Sequence, residues 1–495
     1  MKKILCMLLA LSCMLSLVGC NSSKTSNETQ EREIKIFAED NPNIPINNGV
    51  TVYDELQKRT NIKFNFELAP VANVAEKFNI MMASKEIPDL VIYSIMPINS
   101  YKKAFLPLND LIKEHENLNA TLLKDDEVRR AITTSDGNIY SIPQIAPLKF
   151  SLCFIVRQDW LDKLGLKQPK TLDEFYNVLK AFKEKDPNGN GEADEIPFSG
   201  RLKRRTLMAF VESFGFTDNF FVRDGVVNHG LLEPEMPEAI AFLNKLYTEG
   251  LVDPEYIVTD ANQWQTQMAR QQVGMTFDWG TRIDYLDASV EGSNFVGIEP
   301  PIGSFGEPMT FAQSVKTPGG GSAISKESNK VEVIADLFEY MYSPEGKDLM
   351  NFGIEGTHYT KEGETYKFVD NIMNGADGKT PQQMRWLEGI NGTWSYPKDE
   401  KAEVYSEKWN EVRQKYENGI IKETYPIVDF TPDEKMIISE KQSQIQTCID
   451  ETLDKFIMGN ESIESYGAFV EKLKSMGLDE LVEIYQRVYD RTQSY

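Results

Sequence analysis

The sequence is poor in histidine, cysteine and basic charge. Its 495 residues include three histidines and five cysteines, and the formal net charge is −23. Three histidines leave little room for a histidine-based metal cluster. Nucleic acids and anionic lipid surfaces attract basic faces, so this balance argues against a nucleic-acid partner and against membrane docking through a basic patch. The hydrophobic share of 41% is that of an ordinary globular protein, and the length suggests about two or three domains.

Long apolar runs are also absent, apart from one at the N-terminus. Two lysines precede an apolar run at 4–18, which is shorter than the ~20 residues that a membrane-spanning helix needs. This arrangement predicts a signal peptide at 1–19. The run ends in Leu-Val-Gly-Cys, which looks like a bacterial lipobox, so Cys20 is predicted to be lipidated and to start the mature chain. The alternative is an ordinary signal cut nearby, with Cys20 incidental.

Residues 20–31 are predicted to be the lipidated N-terminus and a flexible tether, because 21–31 contains no apolar side chain. The mature protein is then anchored to the cell membrane on its extracellular face, in a Gram-positive type of envelope, rather than inserted through the bilayer. Outside the leader only Cys153 and Cys448 remain, which excludes a disulfide framework. Two separate buried thiols are favoured over a single bridge between them.

Short strand patterns alternate with helical patterns beyond the tether, which favours an α/β architecture. Strands are predicted at 34–37, 62–68 and 90–93, and amphipathic helices at 50–60 and 71–83.

Two later helices have clear start signals. Thr171 with Glu174 and Thr431 with Glu434 form capping boxes, and the second of these helices is predicted to end near Gly459. Linkers that cross between domains are predicted near 143–148 and 317–321, where proline and glycine accumulate.

Residues 186–195 form the sharpest chemical motif. Oxygen-bearing side chains stand at loop positions 1, 3, 5, 9 and 10, with a glycine at 6, and the predicted metal ligands are Asp186, Asn188, Asn190, Asp194, Glu195 and the carbonyl of Glu192. Calcium prefers six to eight oxygens, so the loop predicts a structural calcium site. It is not an EF-hand, because position 12 is Pro197, and Glu195 would take the bidentate role. The alternative is a polar surface turn.

Several short segments, in their order along the chain, resemble extracellular solute-binding lipoproteins of ABC-type carbohydrate importers (family 1, the LipO-like or aldouronate-transport branch). The segments that carry the resemblance are Lys-Glu-Ile-Pro-Asp-Leu at 85–90, Asp-Gly-Asn-Ile-Tyr-Ser-Ile-Pro at 136–143, Arg-Gln-Asp-Trp-Leu-Asp-Lys-Leu-Gly-Leu at 157–166, Glu-Gly-Leu-Val-Asp-Pro at 249–254 and Tyr-Ser-Pro-Glu-Gly at 342–346.

The resemblance implies a two-lobed periplasmic-binding-protein-like fold (type 2) with a ligand cleft between the lobes. It places the N-terminal lobe at 32–145 and about 318–395, and the C-terminal lobe, with the calcium loop, at 146–317 and about 396–495. The expected function is capture of oligosaccharides, neutral or acidic, and their delivery to the permease subunits of an ABC importer. We expect a monomer without enzymatic activity.

A pyranose offers an apolar ring face and a rim of hydroxyls, so its binding needs aromatic plates and planar polar side chains. The candidate plates are Trp279 at a strand end, Trp386 and Trp394 in a glycine-containing loop, and Tyr140 before the first predicted linker between domains. For each of them the alternative is a place in the core. The candidate hydroxyl partners are Asp278, Arg282 and Glu388. Trp160 is predicted to be core.

The basic cluster at 201–205 has two interpretations. It is either a solvated face that pairs with nearby acids or a site that recognises an acidic sugar. Two other functions also remain open at this point. A secreted glycoside hydrolase would need a pair of carboxylates, and a surface adhesin or sensor component would use the same cleft. The sequence has no HExxH motif and no G-x-S-x-G elbow.

Overall fold

A computed structural model of the chain describes residues 32–146, 152–312, 319–363, 365–375, 379–402, 406–426 and 428–495. The predicted signal peptide, Cys20 and the tether lie outside the described residues. Within the described ranges, no helix has both the length and the apolar character that crossing a membrane requires.

Two mixed sheets organise the described residues. The strands are, in chain order, β1 (Glu33–Asp40), β2 (Lys63–Pro70), β3 (Leu90–Ser94), β4 (Ile142–Pro143), β5 (Leu152–Arg157), β6 (Ile196–Phe198), β7 (Phe220–Arg223), β8 (Val226–His229), β9 (Val273–Trp279), β10 (Phe295–Ile298), β11 (Thr310–Ala312), β12 (Gly320–Ile324), β13 (Tyr359–Glu362), β14 (Thr365–Phe368) and β15 (Ile421–Glu423). A five-stranded sheet has the order β2-β1-β3-β12-β4, and a four-stranded sheet has the order β10-β5-β9-β6. The pairs β11–β15, β13–β14 and β7–β8 are separate ribbons.

Helices connect and cover these sheets. In chain order the helices of the described residues are α1 (Thr51–Thr60), α2 (Val74–Ser84), α3 (Ile95–Ser100), α4 (Asn109–Glu114), α5 (Glu116–Leu122), α6 (Asp126–Ile132), α7 (Gln158–Leu164), α8 (Leu172–Glu184), α9 (Arg204–Met208), α10 (Met236–Thr248), α11 (Ala261–Ala269), α12 (Arg282–Ser289), α13 (Val331–Tyr342), α14 (Pro344–Phe352), α15 (Asp370–Met373), α16 (Pro381–Leu387), α17 (Glu407–Lys415), α18 (Pro432–Met458), α19 (Tyr466–Ser475) and α20 (Leu478–Thr492).

The first lobe is the five-stranded sheet with the helices that cover it. Its strands β1, β2 and β3 run parallel, and β12 pairs antiparallel with β3. Ile34 and Ile36 of β1 are buried in one cluster, while Phe37 of the same strand packs with Phe78 of α2 in another. The sheet is therefore buried on both faces, as expected for parallel strands connected by helices.

The second lobe is the four-stranded sheet with its own core. The ring centroid of Phe154 lies 5.1 Å from that of Phe277 and 5.3 Å from that of Phe175. Trp160 packs against Phe182 and is 1% exposed, which confirms that it is a core residue. The two cysteines of this lobe are both buried and free, so the prediction of separate thiols is confirmed.

The described chain passes between the lobes at three places: after β4, after β11 and after Ala402. We call the connection between β4 and β5, of which residues 144–146 are described, the first crossing. Tyr396 and Ala402 pack in the first lobe's core, whereas Trp409 and Val412 of α17 pack in the second lobe. Segment 396–402 therefore belongs with the first lobe, although the sequence analysis assigns it to the second.

A polar network also joins the lobes. Asp429 is adjacent to the second lobe's buried Val428, and its carboxylate accepts hydrogen bonds from Ser135 N (3.0 Å), Ser135 Oγ (2.7 Å) and Lys102 Nζ (3.3 Å) of the first lobe. Lys435 Nζ donates from the other side at 2.7 Å. Burial alone would raise the pKa of Asp429, but the hydrogen bonds from Lys435 and Ser135 hold it below its ordinary value.

One buried histidine predicts a pH dependence of stability. Burial lowers the pKa of the His229 imidazole from 6.5 to about 4, and its Nδ1 accepts a hydrogen bond from Leu231 N. Between pH 6.5 and pH 4, this imidazole is protonated in the unfolded chain but stays neutral in the folded chain. The free energy of unfolding should therefore fall by up to about 3 kcal/mol across this window.

His229→Asn, whose Oδ1 can accept the same backbone hydrogen bond, should remove this contribution. We expect denaturant unfolding to show a flatter pH dependence between pH 6.5 and 4 for the variant than for the unmodified protein. Parallel pH curves for the two proteins would contradict the prediction.

Candidate functional site

The first crossing has a candidate surface on each side. On the second lobe, β5 begins at Leu152 directly after the crossing, and Leu152 is paired with Trp279 at the end of β9. On the first lobe, the amide of Gln144 donates to Gly392 O at 3.2 Å, and Ile145 forms a bridge with Pro397. The end of β9 is therefore paired with the start of β5, and the loop at 388–398 contacts the two residues that directly follow β4.

Trp279 is the exposed tryptophan of this chain. All six tryptophans lie within the described residues, and the side chain of Trp279 is 48% exposed. The others are either half-buried, as Trp386 is, or buried, as are Trp160, Trp264, Trp394 and Trp409. A large exposed ring at an edge between two lobes offers an apolar plate with a hydrogen-bonding tip.

Asp278 supports Trp279 instead of facing solvent. Its carboxylate is fully buried and bound by Arg201 through two hydrogen bonds, from Nε to Oδ2 and from Nη2 to Oδ1, both 2.7 Å long. Oδ1 also accepts from Trp279 N at 2.7 Å. The prediction that Asp278 contacts a sugar hydroxyl is therefore wrong for this conformation, because its oxygens are already covered by Arg201 and the backbone.

Two further candidates lie near these edges. Arg282 begins α12, immediately beyond the strand end, and its guanidinium carbon lies 5.1 Å from the ring centroid of Tyr285. Within the described residues Arg282 has no ion pair, so its charge is available. Tyr140 is 8% exposed and donates to Asp136 Oδ2 at 3.2 Å, and burial together with this carboxylate raises its pKa. Asp136 in turn contacts Lys102 of the network between the lobes.

Glu388 ends α16, two positions after the half-buried Trp386. Its Oε2 accepts a hydrogen bond of 2.5 Å from Thr51 Oγ1 and lies 3.5 Å from His358 Nε2. The carbonyl of Glu388 also accepts from Val52 N at 3.1 Å, so the residue is attached to the first turn of α1 at two points. The side chain remains 34% exposed.

Trp394 is buried completely and does not form a plate. Its ring centroid lies 5.2 Å from that of Phe64 and 6.0 Å from that of Tyr53, and its side chain is 0% exposed. The prediction from a glycine-containing loop fails because the loop lies directly on α1. A Cβ atom on Gly392 would stand 2.1 Å from the Tyr53 hydroxyl, so the glycine permits close packing and not exposure.

The three arginines of the basic cluster are paired with acids of the protein itself. Besides the Arg201–Asp278 pair, Arg204 contacts Asp450 and Asp454, and Arg205 Nη2 lies 2.6 Å from the buried Glu212. These pairs favour the structural interpretation of the cluster over recognition of an acidic sugar.

The loop at 186–195 gathers the predicted metal ligands between α8 and β6. Asp186 accepts from Gly189 N and Gly191 N at 2.8 and 3.1 Å, while Asp194 accepts from the amides of Asn188 and Asn190 at 3.2 and 3.0 Å. These bonds hold the pKa of Asp194 below its ordinary value, against the effect of burial. Within the described residues, no set of three His, Cys, Asp or Glu side chains is arranged as metal ligands, and the ligand set at this loop stays a prediction.

Two observations fit a cation at this loop. Glu195 Oε1 is buried and has no hydrogen-bond partner among the described residues, and burial, with the charges of Asp186 and Asp194, raises the pKa of Glu195. A divalent cation would relieve both costs. The amide nitrogens of Asn188 and Asn190 donate to Asp194, while their oxygens accept from the backbone N–H groups of Asn190 and Glu192.

No sequence motif marks Thr51 and His358 as neighbours of Glu388. Neither residue belongs to a motif, and Thr51 is 337 positions away from Glu388 in the chain. No local pattern marks a contact of this kind, because it forms only when the loop after α16 packs on α1.

Residues 50–348 match the family model described as bacterial extracellular solute-binding protein. The chain is 28% identical over 513 residues to the lipoprotein LipO of Bacillus subtilis strain 168, and the alignment covers 98% of each protein. It is 26% identical to the fructooligosaccharide ABC transporter substrate-binding protein FusA of Streptococcus pneumoniae serotype 4, over 94% of this chain and 91% of FusA.

Solved structures share the two-lobed fold. The alginate-binding protein AlgQ2, in a crystal structure without calcium ion, has a TM-score of 0.73 and 25% identity, over 92% of this chain and 98% of AlgQ2. FusA in complex with kestose has a TM-score of 0.75 and 23% identity, over 93% of this chain and 99% of FusA. An EF-hand mutant of FusA in complex with fructo-nystose has a TM-score of 0.73. The predicted two-lobed α/β fold is thus confirmed.

Proposed function

The chain belongs to the family of bacterial extracellular solute-binding proteins, and we propose that it captures an oligosaccharide between its two lobes and delivers it to an ABC importer. The observation that carries the proposal is the exposed ring of Trp279 at the edge beside the first crossing. An exposed indole offers a flat apolar plate with a hydrogen-bonding tip, and a sugar ring face is a suitable partner for it. The sugar-binding relatives support the same conclusion.

We propose that the second lobe contributes Trp279 as the stacking plate and Arg282 as a hydroxyl or carboxylate partner. The first lobe contributes Trp386 and Glu388, whereas Tyr140 is buried and its hydroxyl donates to Asp136, so it is not included. Asp278 and Trp394 are left out, because the first is covered by Arg201 and the second is enclosed in the core. Closure of the lobes would bring the two groups onto opposite sides of one ligand.

The ligand class includes both neutral and acidic oligosaccharides. FusA is named for fructooligosaccharides and AlgQ2 for alginate, which is an acidic polysaccharide. In this chain the cationic side chain available at the proposed site is Arg282, since Arg201, Arg204 and Arg205 are engaged with protein carboxylates. One guanidinium accommodates a single uronate or the hydroxyls of a neutral sugar.

We propose that the protein binds without catalysis and acts as a monomer at the outer face of the cell membrane. Its attachment would be the lipid on Cys20, after removal of 1–19, with 20–31 as the tether. Lobe boundaries at 32–145 and 319–402 for the first lobe, and at 152–312 and 406–495 for the second, fit the two cores. Hydrolysis is not favoured by any pair of carboxylates described above, since Asp278 is ion-paired and buried.

We also propose a structural calcium ion in the loop at 186–195. Asp186, Asn188, Asn190, Asp194 and Glu195, with the carbonyl of Glu192, would hold it. The ion would supply the positive charge that the crowded carboxylates require, and it would attach the end of α8 to the start of β6.

Titration of the full mature chain with a saccharide panel tests the proposed function. The panel contains kestose, neutral xylo-oligosaccharides, galacturonate oligomers and alginate oligomers, with calcium present. We expect micromolar binding by calorimetry for at least one member, since carbohydrate-binding sites of this kind combine one plate with a few polar contacts. Chromatography of the same mixtures should show unaltered saccharide. Release of shorter products, or no binding by any member, would contradict the proposal.

A further inference from the structure

One carboxylate oxygen of Glu388 is held by contacts with the protein, and the other oxygen is available to a ligand. Thr51 Oγ1 donates to Oε2, and His358 Nε2 faces the same oxygen. Among the described residues no hydrogen bond reaches Oε1. A carboxylate fixed in this way presents one acceptor in a defined direction, without the entropy cost of ordering a free side chain at the moment of binding.

The tautomer of His358 follows from its second contact. Ile354 N donates to Nδ1 at 2.9 Å, so Nδ1 carries no proton and Nε2 is the protonated nitrogen of the neutral ring. Burial lowers the pKa of His358, although the nearby Glu388 acts in the opposite direction. The lowered pKa favours the neutral form of the ring. The close approach depends on Gly353, where a Cβ atom would stand 2.4 Å from Nδ1. The ring therefore directs an N–H group toward Glu388.

Glu388 contacts the first turn of α1, and the loop after it reaches the residues that lead toward the second lobe. The loop that follows Glu388 runs beside the first crossing, through the contacts of Gln144 with Gly392 and of Ile145 with Pro397. The backbone N–H of Val52, in the first turn of α1, binds the Glu388 carbonyl.

We infer that Thr51 and His358 are positioning residues that fix Glu388 Oε2, so that Oε1 accepts a hydroxyl of the bound oligosaccharide. This inference rests on the proposed function and adds two residues that need not touch the sugar. A hydrogen bond to a charged acceptor is stronger than a neutral one, so losing the Thr51 hydroxyl should weaken sugar binding about tenfold.

Three variants test the inference, with the panel saccharide that the unmodified chain binds most tightly as the probe. Thr51→Val removes the hydroxyl at constant shape and should reduce affinity about tenfold, whereas Thr51→Ser keeps the hydroxyl and should bind normally. In a Glu388→Gln background, Thr51→Val should have little further effect, because the two act through one contact. A purely structural role for Thr51 would lower the melting temperature and leave affinity unchanged, and that result would overturn the inference.

The histidine is tested without any ligand. The chain has three histidines, so ¹⁵N spectra of the imidazoles are simple, and His115→Gln and His229→Asn assign the remaining signal. We expect His358 to be the Nε2–H tautomer, and an Nδ1–H tautomer would overturn its role. Failure of the unmodified chain to bind any saccharide would instead reject the proposed function, together with this extension of it.

Discussion

Trp279→Ala should weaken oligosaccharide binding by roughly 50- to 100-fold and leave the fold intact. Stacking one sugar face on the indole removes about 100 Å² of apolar surface from water, which at about 25 cal/mol per Å² contributes ~2.5 kcal/mol. The side chain is 48% exposed at a strand end, so its removal creates no internal cavity. Stability should change by less than about 1 kcal/mol. Calorimetric titration and thermal unfolding measure the two quantities separately.

Two companion variants sharpen this test. Trp279→Phe keeps a smaller plate and should retain part of the affinity, while the ligand-induced change in tryptophan fluorescence becomes smaller because only Trp386 remains at the proposed site. Met436→Ala, at a side chain that is 66% exposed on α18 of the same lobe, should bind like the unmodified protein. Binding of unchanged strength by Trp279→Ala would remove the observation on which the proposed function depends.

Local signals predicted the secondary structure well. The capping boxes of Thr171 with Glu174 and of Thr431 with Glu434 are both present, and Gly459 ends α18 in a left-handed conformation. These features involve residues a few positions apart, so the sequence contains all the information that they need. The predicted strands at 34–37, 62–68 and 90–93 likewise match β1, β2 and β3, with shifts of a few residues at their ends.

Burial at the candidate site could not be predicted in the same way. Trp394 and Trp386 stand in one glycine-containing segment, but only Trp394 is enclosed, because Phe64 and Tyr53 from distant parts of the chain meet it. Asp278 and Trp279 are neighbours on one strand and alternate in direction, so one faces Arg201 and the other faces solvent. A strand pattern predicts the alternation but not which side is covered.

Calcium should raise the melting temperature of the mature protein by roughly 5–10 °C relative to a chelated sample. An ion at about 100 times its dissociation constant contributes ~2.7 kcal/mol of folding free energy. For a lobe of this size each kcal/mol corresponds to about 2–4 °C. Differential scanning calorimetry with chelator, and then with calcium restored, measures the shift. Unchanged melting in chelator would show that the loop at 186–195 is a polar turn without a structural ion.

The sign of the stability change caused by Glu195→Gln shows whether Glu195 is a metal ligand or a carboxylate that only supports the loop. Without calcium, the ionised carboxylate of Glu195 is disfavoured by the partial burial of the side chain and by the charges of Asp186 and Asp194. The neutral variant should therefore be at least as stable as the unmodified protein. With calcium, the variant should be less stable, because it lacks the bidentate ligand. Glu192→Gln is the matched control, since the predicted ligand there is the carbonyl and the side chain is exposed, and it should keep the full response to calcium. A Glu195→Gln protein that is destabilised equally with and without calcium would mean that the carboxylate only supports the loop.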